Sequence, residues 1–175
     1  MEVKRGFSLV ELIIVMALIS LLALAMSSVM LTTIVNSNRV RTLTKIKQAG
    51  DYTINQFQSL IRNARTITTC DSTNQLVTLE SPDGATTTIS LANDNTVSPS
   101  VDRIASNSAL YLTPQDLKVT SFSLRCQPGD TPATFGQPGT SLVKLSFDLS
   151  STATNLKVQE NPTLHFETAA ELRNQ

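Results

Sequence analysis

Glu11 stands at the head of a run from Leu12 to Val35 that contains no charged side chain. A carboxylate carried into so apolar a helix costs about 2.5 to 3.5 kcal/mol on membrane-insertion scales unless something answers its charge. The chemistry it offers is charge pairing in a low-dielectric setting. Either a cation is brought to it by a partner, or the carboxylate reaches back to the lipid headgroups. Cys70 and Cys126, the only two cysteines, offer a second chemistry. One follows the expected stem helix and the other ends an expected strand. They form a disulfide in an oxidising compartment, or stand as two separate buried thiols that pack as small apolar residues.

The remaining reactive groups are sparse. His165 is the only histidine, and no His, Cys or carboxylate spacing resembles a metal site, so it is expected at a sheet edge or in solvent. There is no Gly-x-Ser-x-Gly elbow and no glycine loop able to cradle phosphates. An enzyme is therefore not expected, and no cofactor is called for. Asn93-Asp94-Asn95 and Asp102 supply oxygen atoms but not the ligand spacing of a calcium loop, and are read as loop formers.

These groups must be positioned by one modest domain and an accessory segment, since the chain has 175 residues and domains typically run about 100 to 150. From Phe7 to Arg65 the only helix breaker is Gly50, and every proline falls at Pro82 or beyond. One long helix is expected, on the order of 85 Å at its usual rise. Its first half exceeds the roughly 18 to 20 apolar residues that cross a bilayer. In its second half Leu43, Ile46, Gly50, Ile54, Phe57, Ile61 and Ala64 recur by threes and fours, making an apolar stripe that faces a partner. Arg41, Lys45, Lys47, Asp51, Gln58 and Arg62 are expected on the solvated side.

After Arg65 the pattern changes to short β-branched runs. Leu76–Leu79 and Thr86–Leu91 flank the turn Ser81-Pro82-Asp83-Gly84 and read as a hairpin. Thr66–Thr69, Leu110–Leu112, Leu117–Arg125, Leu142–Leu149 and Thr163–Phe166 are further strands, with Val143, Leu145, Phe147 and Leu149 alternating inward. Together they predict an antiparallel sheet resting on the helix stripe. Ala92–Asn107 and Gln127–Ser141 are expected to be irregular loops. The fold class is α+β. The head is acidic and rich in hydroxyls and amides, which makes it a poor nucleic-acid surface.

The segment Lys4-Arg5-Gly6-Phe7-Ser8-Leu9-Val10-Glu11-Leu12 resembles the class III signal sequence of type IV prepilins and type II secretion pseudopilins. The resemblance implies cleavage after Gly6 by a prepilin peptidase, N-methylation of Phe7, and an assembly role for Glu11 opposite the charged N-terminus of a neighbouring subunit. It implies a pilin-like layout: a leader at 1–6, a transmembrane and assembly half of the helix at 7–35, an amphipathic half at 36–65 and a β-rich head at 66–175. Other subunits of a type IV pilus, type II secretion pseudopilus or competence pilus would be partners through the helix. Asp51–Ala64 and Phe166–Asn174 look most like minor subunits of the J or W type. The chain departs from many major pilins in having Ser27-Ser28 where they carry a helix proline, and in having no cysteine pair near the C-terminus.

The competing reading is an ordinary secretory signal peptide cut after Ala25, because Ala23-Leu24-Ala25 matches a small-residue cleavage site and would release a soluble domain. Glu11, the apolar stretch continuing to Val35 and the Gly6-Phe7 junction argue against it. Charge counting also conflicts with the family orientation, with Lys4 and Arg5 on one flank but Arg39, Arg41, Lys45 and Lys47 on the other. The resemblance places the N-terminus in the cytoplasm, the helix as a single pass through the cytoplasmic membrane, and the head outside it, in a periplasmic or cell-surface fibre.

Overall fold

The computed structural model describes residues 8–107, 110–127, 142–152 and 162–172. It comprises two compact units, residues 1–40 and 41–175, and the helix α1 (Leu9–Asn63) contributes to both. In the first unit every described residue is exposed. The helix continues without a break through Ala23-Leu24-Ala25 and Ser27-Ser28. A window with mean hydropathy 2.8 makes α1 long and apolar enough to cross a membrane.

In the second unit α1 buries Ile46, Ala49, Gly50, Thr53, Phe57 and Ile61. Five residues of the expected stripe are thus fully buried, counting Ala64 just beyond the helix, while Leu43 and Ile54 are half-buried. The residues that periodicity missed are Ala49 and Thr53. Thr53 is tolerated inside because its hydroxyl donates to the carbonyls of Ala49 at 2.9 Å and Leu112 at 3.3 Å. Gln58, expected in solvent, is half-buried and donates from Nε2 to Thr168 Oγ1 at 2.7 Å. The helix ends where β-branched residues begin: Ala64 N–H still bonds Leu60 O, but Arg65 N–H already bonds Glu80 O on a strand.

The strands form two antiparallel sheets instead of the single one expected. β1 (Thr66–Asp71), β2 (Leu76–Glu80), β3 (Thr86–Asp94), β4 (Val101–Ser106) and β5 (Leu110–Tyr111) lie in sequence order in a five-stranded meander. β6 (Leu117–Gln127), β7 (Leu142–Ser151) and β8 (Thr163–Glu171) make a three-stranded one. The division falls at β5, which has only two residues and is followed by Pro114, a residue with no N–H to extend a ladder. The inner faces of both sheets and the α1 stripe share one core that includes Phe57, Ile61, Leu79, Ile89, Leu145 and Phe147. Such burial, at about 25 cal/mol per Å² of apolar surface, is the main force holding the head together.

The hairpin of β2 and β3 forms as read, with Gly84 at φ 83° and Ser81 N–H bonded to Ala85 O at 2.8 Å. The expected irregular stretch Ala92–Asn107 is corrected at its two ends and holds for residues 95–100. β3 runs on to Asp94 and β4 covers Val101–Ser106, with Asn93 paired to Asp102 and Asp94 to Val101. Asp94 is wholly buried with a counter-charge and pairs as the last residue of β3, while its Oδ1 accepts the Thr96 N–H at 3.0 Å and opens the turn that follows. Of the second expected loop, residues 128–141 lie outside the described residues, and Gln127 is the last residue of β6.

Gly50 is a point of close approach. The ring of Phe166 on β8 occupies the space that a Cβ at position 50 would need. Phe166 is itself stacked on Phe147, with centroids 5.3 Å apart. The absence of a side chain at Gly50, and not its conformational freedom, lets the helix and this aromatic pair meet.

Candidate functional site

The N-terminal unit is an exposed helix surface whose apolar run carries only hydroxyls bonded within the helix. Between Leu12 and Val35 the hydroxyls are those of Ser20, Ser27, Ser28, Thr32 and Thr33. Each donates to a carbonyl three or four residues earlier in α1, as in Ser20 to Met16 O at 2.8 Å and Thr33 to Val29 O at 2.8 Å. Self-satisfied hydroxyls carry little cost in an apolar medium. Glu11, in the first turn of α1, is different. It is exposed and has no ion-pair or hydrogen-bond partner among the described residues. Its side chain is thus open to a cation supplied from outside the helix. Gly6 and Phe7, the expected cleavage and methylation positions, lie outside the described residues.

In the head, Cys70 on β1 and Cys126 on β6 form a disulfide with Cα atoms 6.4 Å apart. It joins the two sheets, not merely the stem exit to one sheet. Beside it Gln75 Oε1 accepts the N–H of Leu124, a second tie between the β1–β2 turn and β6. His165 sits on β8, an edge strand, with Nδ1 2.6 Å from Asp148 Oδ1 and much of its side chain in solvent. Lys45 of α1 forms an exposed ion pair with Asp116.

The polar cluster that sequence reading missed centres on Arg103. Its guanidinium pairs with buried Asp94, donates from Nε to Thr113 O at 2.9 Å, and lies 4.0 Å from the ring centroid of Tyr111. The available signal was an adjacent Asp102-Arg103 flanked by Val101 and Ile104-Ala105. The Thr96 hydroxyl, with help from Arg103 and the Thr96 N–H, holds the Asp94 carboxyl below its ordinary value of 3.8 although burial acts the other way. A folded-state value depressed in this way contributes stability that is fully present above pH 3.8 and lost as pH falls through the folded value. Asp71, lowered chiefly by the Asn74 N–H and amide, acts in the same direction. Arg103→Met is therefore expected to lower the thermal midpoint by several degrees at neutral pH. The gap from wild type should narrow steadily in melts taken below pH 3.8. A gap independent of pH would show that Arg103 acts by packing alone.

Residues 1–27 match the family model for the prokaryotic N-terminal methylation motif. No curated protein and no solved structure matches the chain. The matched residues take in the Gly6-Phe7 junction, Glu11 and the first part of the exposed apolar helix. An apolar N-terminal helix with this motif fits membrane anchoring and assembly with like subunits, and the antiparallel sheets behind it fit a pilin-like α+β architecture. The chain carries the class III signal sequence characteristic of type IV pilins and pseudopilins.

Proposed function

We propose that the protein is a non-enzymatic structural subunit, of the minor J or W kind, of a type IV pilus, type II secretion pseudopilus or competence pilus. The observation that carries this reading is the methylation motif at residues 1–27, with Gly6-Phe7 at its junction and Glu11 beyond it. Prepilin peptidase removes the leader 1–6 at the cytoplasmic face, and Phe7 becomes the methylated N-terminus. Residues 7–35 hold the subunit in the cytoplasmic membrane and then in the fibre. Residues 36–65 carry the β-rich head 66–175 outside the membrane. Glu11 pairs with the charged amine of a neighbour's Phe7. The Cys70–Cys126 disulfide supports an oxidising location for the head. A helix that runs through Ser27-Ser28 without a proline supports a minor role.

Mass spectrometry of membrane and sheared-fibre fractions tests the reading. The expected first residue is N-methyl-Phe7, and the expected abundance in fibres is far below that of the principal subunit. A first residue at Met26 would reverse the whole assignment in favour of a secreted soluble domain. Abundance equal to the principal subunit would overturn only the minor role.

A further inference from the structure

The head is acidic, yet two of its few cations are placed side by side. After Arg65 the Lys and Arg residues are Arg103, Lys118, Arg125, Lys144, Lys157 and Arg173. Arg103 is buried and consumed by Asp94. Arg125 on β6 and Lys144 on β7 are direct cross-strand partners, with side chains on the outer face of the three-stranded sheet. Like charges directly opposite one another are destabilising, and opposite charges would be favoured there. Neither has an ion-pair or hydrogen-bond partner among the described residues.

These two cations line a cleft of about 840 Å³ with Ser72, Thr73, Ser123 and Ser146. The β1–β2 turn forms its wall. Gln75, at φ 55°, anchors that turn by accepting the Leu124 N–H, and the adjacent disulfide fixes β1 to β6. The wall is thus held against the sheet independently of any ligand. Among the described residues the lining offers guanidinium, ammonium and hydroxyl donors and no aromatic platform. Among the described lining residues the one carboxylate is Glu167, at the far side, opposite Ser146 and diagonal to Lys144.

We infer that this cleft binds an oxyanion of the sulfate type, either as the free ion or as a sulfate ester on a saccharide, between Arg125 and Lys144. Arg125 supplies the planar fork suited to two oxygens, Lys144 a mobile point charge, and the serine hydroxyls neutral donors. This goes beyond the assembly role and does not depend on it, since it rests on the head alone.

The test is calorimetric titration of the full chain in uncharged detergent micelles at low salt, with sodium sulfate in one arm and a sulfated tetrasaccharide in the other. Binding is expected to weaken about tenfold in Arg125→Gln and in Lys144→Gln, the effect of removing one charge-assisted hydrogen bond. Arg125→Lys should retain part of the affinity. Glu167→Gln should strengthen binding, because it removes a repelling carboxylate. Lys118→Gln, on β6 but not in the lining, should bind as wild type. Sulfate binding with these responses identifies the free ion as sufficient, and binding of the tetrasaccharide alone identifies the ester. Absence of binding in both arms overturns the inference. So does a Lys118→Gln loss as large as that of Arg125→Gln, which would reduce the effect to net charge.

Discussion

Glu11→Leu is expected to remain in the membrane at wild-type level and to disappear from sheared fibres. The substitution removes a carboxylate that costs about 2.5 to 3.5 kcal/mol to insert, so anchoring can only be favoured. It also removes a carboxylate that has no partner among the described residues, while the hydroxyls between Leu12 and Val35 donate to the carbonyls of their own turns. Removing a charge-assisted hydrogen bond from a low-dielectric interface weakens association by at least about tenfold. The fraction of subunit recovered in fibres should fall by at least that factor. Ser20→Ala is the matched control, because the Ser20 hydroxyl is already bonded to Met16 O, and it should assemble normally. Quantitative immunoblotting of fibre and membrane fractions reads both. Normal incorporation of Glu11→Leu would end the assembly role, and loss from both fractions would reassign Glu11 to insertion or stability.

Replacing both cysteines by alanine is expected to cost the head about 4 kcal/mol in the chain-entropy treatment of a loop this long. The loop spans 56 residues and contains all five strands of the first sheet except the part of β1 before Cys70. The bond therefore limits the unfolded ensemble across both sheets. Denaturant melts of wild type, oxidised and reduced, should differ by a similar amount, whereas the double variant should not respond to reductant. Trapping free thiols in intact cells reads the compartment as well. Cys70 and Cys126 should label only after reduction in unfolded protein. Labelling of both without reductant would place the head in a reducing compartment and contradict the proposed orientation.

Much of the element order was legible in the chain because local chemistry decided it. Absence of proline before Pro82 and an uncharged run from Leu12 to Val35 specify a long apolar helix, and Ser81-Pro82-Asp83-Gly84 specifies a tight turn. Alternation at Val143, Leu145, Phe147 and Leu149 specifies which face of β7 is inside. At the N-terminus the junction Gly6-Phe7 and the lone Glu11 are linear features, so the motif required no tertiary context to be read.

Other features depended on contacts that sequence spacing does not encode. Thr53 is buried because Leu112, far along the chain, supplies an acceptor. Asp94 opens its turn from a buried position because Arg103 neutralises it inside the first sheet. Arg125 and Lys144 look like scattered surface charges until the β6–β7 register sets them opposite each other. Gly50 reads as a blemish in the apolar stripe until the Phe166 ring is found in the space its missing side chain leaves. Periodicity and turn chemistry act over a few neighbouring residues, so their products can be read along the chain. The division into two sheets, the counter-charge that buries Asp94 and the pairing of the cleft cations are long-range choices of partner. Only the tertiary structure decided them, because each depends on a group brought near by packing and not by order along the chain.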